Sequence, residues 1–294
     1  MTLVYSFCSR TNCADGSNPA YDFGAPGGLV LDTDGYFYGA TPYGGNPDCP
    51  LYDGGCGTIF KVAPDGTMIT LHIFNNGNDG ARPGAALVQA TDGNLYGLTE
   101  YGDYGRFFRI TRDGTFTTLY SFCKDPPSCL DGAAPTGLLQ GFDGNFYGTT
   151  MVGGANGQGT VFKLTPTGKL TTIYSFCARS HCEDGSQPAA GLVLGMDGMF
   201  YGTTAQGGRH PELCRRNQSY GCGTIFKITT KGKLTTLYAF CAQPNCADGR
   251  RPSAPLIQAT DGNYYGTTTL GGAVLFAIPS STAVRCSRSL AMAC

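Results

Sequence analysis

Three carboxylates stand out in an otherwise repetitive chain. The decapeptide NFYGTTMVGG at 145–154 returns as MFYGTTAQGG at 199–208, NYYGTTTLGG at 263–272, YFYGATPYGG at 36–45 and NLYGLTEYGD at 94–103. Only the last copy carries acids. Glu100 stands where the others have Pro42, Met151, Ala205 and Thr269, and Asp103 where they have Gly45, Gly154, Gly208 and Gly272. A third acid, Asp22, lies in AYDFGAPGG, an insertion unique to unit one. Catalysis needs one acid and one base rather than five equivalents, and glycoside hydrolysis uses two carboxylates about 5–9 Å apart. Asp22, Glu100 and Asp103 are therefore the candidate catalytic residues if the chain is an enzyme of glycosidase type. The competing reading is three solvated loop acids, one of them paired with Arg106. His72, His181 and His210 are scattered, and no Ser/His/Asp or Cys/His arrangement accompanies them.

A second set of polar residues is repeated rather than unique. Each of five connecting loops holds an Asp-Gly pair with a proline four residues after the Asp: Asp15, Asp79, Asp131, Asp184 and Asp248. Thr41, Thr99, Thr150, Thr204 and Thr268 belong to the same end of the fold, beside Tyr43 and Tyr101. An Asp in such a turn ordinarily accepts backbone N–H groups. Carboxylate, hydroxyl and tyrosine together also suit a network on sugar hydroxyls with ring stacking. Five copies would make such a surface a multivalent, lectin-like glycan binder. The ligand expected is a glycan or cell-surface polysaccharide. A protein partner, with the fold as a scaffold, is the third alternative.

The 14 cysteines fall mostly in short loops. Their even number and close spacing predict local disulfides: Cys8–Cys13, Cys49–Cys56, Cys123–Cys129, Cys177–Cys182, Cys214–Cys222, Cys241–Cys246 and Cys286–Cys294. Zinc is the competing use of paired cysteines, but four ligands do not cluster and the chain has 3 histidines. The Asp-Gly loops lack the alternating acids of a dedicated calcium loop. The expectation is no metal and no cofactor. Disulfides point to an oxidising compartment, hence a secreted or extracytoplasmic protein. With 20 basic and 21 acidic side chains, nothing attracts the chain to nucleic acid or anionic lipid. No apolar run reaches the 18 or so residues of a membrane span.

The elements that position these residues can be read from the turns. An Asp-Gly hairpin precedes each Tyr-Gly pair, at Asp34, Asp92, Asp143, Asp197 and Asp261. Short apolar runs flank it, such as TGLLQ before and GTVFKL after, and four units add a run such as KLTTIYSF. Asp-Gly supplies the positive φ that tight hairpins need. Four strands per unit and a period of about 50–65 residues predict an all-β, five-bladed β-propeller with four antiparallel strands per blade. The blades are expected near 27–74, 84–122, 135–176, 189–240 and 253–278, in a single domain over 1–279 with a tail at 280–294. Unit five lacks a fourth run, and TLVYSF at 2–7 matches it, so the N-terminal strand is expected to complete the last blade and remove an open edge. Small residues opening the inner runs, Gly27–Gly28, Ala85–Ala86, Gly137, Ala190–Gly191 and Ala254, suit a crowded axis.

The pattern LYSF…DG…P…GLV…DGNFYGTT…GG…GTVFKLT resembles the GloVer-type tandem repeat over residues 1–278. That resemblance implies an exported bacterial repeat protein, in a family that carries varied surface anchors, and it brings no activity to transfer. The residues after the repeats, 279–294, do not resemble a sorting helix, so surface attachment through them is not expected.

Overall fold

The computed structural model describes residues 3–19, 28–49, 54–84, 86–209, 221–271, 275–278 and 285–287. Its strands follow the alternation and turn chemistry of the repeat. The first sheet runs Val30–Leu31 (β1), Phe37–Thr41 (β2), Thr58–Val62 (β3) and Met68–Ile73 (β4). The second has a divided inner strand, Ala81–Pro83 (β5) and Val88–Gln89 (β6), then Leu95–Tyr101 (β7), Arg106–Ile110 (β8) and Phe116–Ser121 (β9). The third is Ala133–Gln140 (β10), Phe146–Val152 (β11), Thr160–Leu164 (β12) and Leu170–Ser175 (β13). The fourth is Val193–Leu194 (β14), Phe200–Thr204 (β15), Thr224–Ile228 (β16) and Leu234–Ala239 (β17). The fifth is Arg250–Pro252 (β18), Ile257–Gln258 (β19), Tyr264–Leu270 (β20), Leu275–Ile278 (β21) and Arg285–Ser287 (β22). All five sheets are antiparallel meanders, an all-β, propeller-like arrangement.

The Asp-Gly hairpins explain why the repeat couples Asp to Tyr. The hydroxyls of Tyr38, Tyr96, Tyr147, Tyr201 and Tyr265 donate to Asp34, Asp92, Asp143, Asp197 and Asp261 at 2.6–2.9 Å. Each tyrosine thus pins the turn that precedes its own strand.

Between the third and fourth strands of the first four sheets the register slips at one place, as between Ile59 and Phe60 or Val161 and Phe162. The slip is a β-bulge, which bends the outer strand and strengthens its twist. The bulged residues Leu71, Leu119 and Ile173 turn their carbonyls onto the turn glycines Gly114, Gly168 and Gly232 of the following unit. Phenylalanines complete each contact. Phe74 meets Phe108 at 5.8 Å, Phe122 meets Phe162 at 5.2 Å and Phe176 meets Phe226 at 5.1 Å, all edge to face. The core therefore lies between consecutive sheets. On the innermost strands a Cβ added to Gly137 would strike Gly191, the crowding expected near an axis. Gly27 and Ala85 lie outside the described residues.

Two boundaries differ from the sequence reading. The Asp-Gly loops do not end where the strands were expected to begin: Ala81–Pro83, Ala133–Pro135 and Arg250–Pro252 already pair with the second strand of their sheets. The fourth place in the fifth sheet is held by β22, from the segment expected as a tail, and residues 3–6 form no strand. The N-terminal segment is held instead by its aromatics. Phe7 meets Phe60 at 4.8 Å and Tyr5 packs with it on the first sheet.

Candidate functional site

The loop end is built from one repeated brace. In each connecting loop the Asp accepts from a ring group of the outer segment just before it. Tyr5 donates to Asp15 at 2.7 Å, Tyr120 to Asp131 at 2.6 Å, Tyr174 to Asp184 at 2.8 Å and Tyr238 to Asp248 at 2.7 Å. His72 takes that place for Asp79, at 3.2 Å. Backbone N–H groups fill the remaining lone pairs, as Ala178 and Arg179 do for Asp184. Asp15, Asp184 and Asp248 are wholly buried.

The glycine after each Asp lies over the threonine of the second strand. A Cβ on Gly185 would sit 2.5 Å from Thr204 Oγ1 and 2.6 Å from Thr224 Oγ1. Thr204 in turn donates to the Gln206 carbonyl at 2.8 Å and meets Thr224 Oγ1 at 2.8 Å. Thr41 and Thr150 repeat this with Thr58 and Thr160. Thr99 donates to the Tyr101 carbonyl. Thr268 differs: its buried Oγ1 has no hydrogen-bond partner among the described residues, and Val274 replaces the facing threonine in the sequence. The carboxylates and hydroxyls expected to meet a ligand five times over are thus mostly spent inside the protein.

Five of the expected disulfides are formed: Cys8–Cys13, Cys49–Cys56, Cys123–Cys129, Cys177–Cys182 and Cys241–Cys246. Cys222 is also disulfide-bonded. Cys214, Cys294 and the Cys286 side chain lie outside the described residues. The sulfurs of Cys222, Cys241 and Cys246 lie within 4.8 Å of one another, but oxidation removes the thiolates that a metal takes as ligands.

Unit two departs from the brace in a coupled way. Arg106 replaces the threonine that begins the third strand, and its guanidinium donates to Asp103 at 2.9 Å. Asp103 stands at φ 61 in a place where the other copies use glycine. Its side chain is 78% exposed while that of Arg106 is 8% exposed. Asp103 is the counter-ion of a buried arginine, on the outer side of the turn. Glu100 goes elsewhere. It packs against the inner strand, where a Cβ on Gly84 would lie 3.6 Å from Glu100 Cβ and 3.8 Å from Oε2. Asp22 lies outside the described residues, so of the three carboxylates the structure places two, in different surroundings.

Beside Glu100 is a residue that sequence reasoning passed over. Arg82 is 6% exposed, and its guanidinium carbon lies 4.5 Å from the Tyr43 ring centre and 5.0 Å from that of Tyr101. It also donates to the Tyr43 hydroxyl. The signal was available in the loops. The residue before each loop proline is Asn18, Arg82, Ala134, Gln187 or Arg251, and every one has φ of 52–55°. The backbone there is constant and left-handed while the side chain varies, as at positions adapted to a ligand. Burial pushes the Glu100 carboxyl up, against the opposing charge of Arg82. Glu100 Oε2 is buried and has no hydrogen-bond partner among the described residues.

A stacked cation, two half-buried tyrosines and an unsatisfied carboxylate oxygen thus meet between the first and second sheets. Residues 2–128 and 104–285 match the pattern of the Gloeobacter/Verrucomicrobia repeat. The chain belongs to this repeat family. Among curated proteins none matches it. The repeat fold is similar to solved propeller-like structures at low identity. A catalytically inactive virginiamycin B lyase from Staphylococcus aureus, solved with quinupristin, shares 18% identity at TM-score 0.60, covering 90% of this chain and 70% of that one. A putative 6-phosphogluconolactonase from Bacteroides fragilis shares 20% identity at TM-score 0.51, over 89% and 69%. The nidogen/laminin complex provides a third likeness, 13% identical at TM-score 0.52, over 87% and 76%. These likenesses carry the fold and no more.

Proposed function

We propose that this repeat protein is an exported carbohydrate-binding propeller with one principal site per chain, at Tyr43, Arg82, Glu100 and Tyr101. The observation that carries the reading is Glu100 Oε2, unpartnered among the described residues, beside the stacked Arg82. A buried acceptor without a donor costs about 1–3 kcal/mol, and a ligand hydroxyl removes that cost. The tyrosines supply faces for a sugar ring, and the connecting loops are stiffened by disulfides, which lowers the entropy lost on binding. The repeated Asp and Thr are mostly bonded within the protein, which favours this single site over the five-fold glycan surface expected from them. Five disulfides fit an oxidising compartment, and among the described residues no helix is long and apolar enough to cross a membrane.

The same carboxyl favours a second reading, a glycosidase or related carbohydrate-active enzyme. A carboxyl whose proton affinity is raised by burial is suited to general-acid work. Asp22 remains its candidate counterpart. A glycan array on the oxidised protein, followed by mass analysis of the bound glycans, separates the two. Intact glycans at about one per chain, lost in Arg82→Ala, support binding. Shortened glycans, intact again with Glu100→Gln, support the enzyme. A blank array sinks both and leaves a protein-binding scaffold.

The finer architecture belongs to the same proposal: five blades closed into a ring by the N-terminal segment. Its support is that Val4, Tyr5 and Phe7 sit on the first sheet as the outer strand of one blade sits on the next. The Val4 carbonyl meets Gly66 as Leu71 meets Gly114, and Phe7 meets Phe60 as Phe122 meets Phe162.

A further inference from the structure

A groove of about 450 Å³ opens between the Cys177–Cys182 loop and the outer strand β17. That is within the roughly 300–1,000 Å³ of small-molecule sites. Arg179, Glu183 and Arg209 stand on its rim, with Thr236, Leu237 and Tyr238 among its wall residues. The repeat supplies an internal control. In unit two the equivalent threonine, Thr118, donates to the Asn78 carbonyl of the preceding loop at 2.9 Å, so its hydroxyl is satisfied within the protein. In unit four Thr236 Oγ1 is buried and has no hydrogen-bond partner among the described residues. Neither Arg179 nor Arg209 has an ion-pair partner among the described residues. Two guanidiniums against one carboxylate leave the groove cationic. Guanidinium forks match a carboxylate, while Glu183 and the Thr236 hydroxyl match sugar hydroxyls and Leu237 gives an apolar contact.

We propose that this groove is a second saccharide site, selective for a uronate, a sugar ring bearing a carboxylate. The arginines hold the carboxylate, and Thr236 and Glu183 read hydroxyls. The site shares no residue with the Glu100 cluster and stands without it.

Calorimetric titration with D-galacturonate and with D-galactose tests it. Galacturonate is expected to bind at about one per chain and galactose at least about tenfold more weakly. Arg179→Ala and Arg209→Ala are each expected to weaken galacturonate by about tenfold or more, the scale of a lost charge-assisted bond. Arg251→Ala, at an exposed arginine of the next loop, leaves binding unchanged. Glu100→Gln leaves it unchanged too, which separates this site from the first. Both arginines are exposed, so these variants fold, and circular dichroism checks that. Absence of galacturonate binding at millimolar concentration overturns the proposal. So does equal binding of galactose, or full affinity in the double arginine variant.

Discussion

Asp15 and Glu100 show how one side-chain type is used in two ways. Burial pushes the Asp15 carboxyl up, but the hydroxyls of Tyr5 and Ser9 and the amides of Ser9 and Arg10 outweigh it and hold the group at about 2. A depressed folded-state value stabilises the fold above the ordinary carboxylate range, near 4, and that contribution is lost as pH falls through about 2. It amounts to on the order of 2 kcal/mol. Tyr5→Phe is expected to lower urea stability by about 1–2 kcal/mol at neutral pH, with the difference shrinking towards pH 2. Glu100 runs in the opposite direction. Its raised value means that the neutral form suits the fold, so its contribution is full below the ordinary glutamate range, near 4.3, and is lost as pH rises. Glu100→Gln is accordingly expected to melt higher than the parent at pH 7 and level with it at pH 3.5. Equal melting at both values would remove the evidence for a desolvated acid.

At the level of the element, the unit of construction is the Asp-Gly loop locked onto a threonine strand. Its glycine has two jobs, a left-handed backbone and the absence of a Cβ. Gly185, at φ 97 and facing two threonine hydroxyls, needs both, whereas Gly198, at φ 75, faces open space. Gly198→Ala is expected to cost about 1 kcal/mol from backbone strain alone, and Gly185→Ala at least about 3. Chemical denaturation of the two variants measures the difference, and similar costs would contradict the packing described for Thr204 and Thr224. Much of this element was legible beforehand. The Asp-Gly spacing marked the hairpins, and the cysteine spacing marked five disulfides that are formed. The loop aspartates were equally visible, but not their partners. Tyr174 and Asp184 are ten residues apart, and only the folded loop shows that the hydroxyl reaches the carboxylate before any ligand can.

Across the whole molecule, stability comes from the seams between sheets rather than from the loops. Each local disulfide closes only 5–7 residues, which chain entropy values at about 2 kcal/mol. Replacing Cys177 and Cys182 together by Ala is expected to cost that much and leave the far-ultraviolet spectrum intact. The N-terminal seam is expected to matter more per residue. Deleting residues 1–7 uncovers Phe60, and Phe7→Ala alone is expected to cost about 2–3 kcal/mol, scaled down from a fully buried phenylalanine. If the ring closes through this segment, ending the chain after residue 279 leaves melting nearly unchanged while the N-terminal deletion lowers it. The reverse result would assign the edge to β22.

The sequence by itself determined what depends on neighbours along the chain. Five units, strand-turn-strand order, Asp-Gly hairpins and local cystines all rest on backbone torsion preferences and on spacings of a few residues. Sequence also singled out unit two, because a break in a repeat is visible without a structure. Tertiary structure decided what depends on which groups share a space. It gave Asp103 to Arg106 and set Glu100 against Gly84 beside Arg82. It seated the N-terminal aromatics on the first sheet and left a groove in unit four beside a threonine whose counterpart in unit two is hydrogen-bonded to the preceding loop. Hydrogen-bond satisfaction and burial are properties of three-dimensional neighbours. A repeated carboxylate therefore reads the same in sequence whether it faces solvent or a tyrosine hydroxyl.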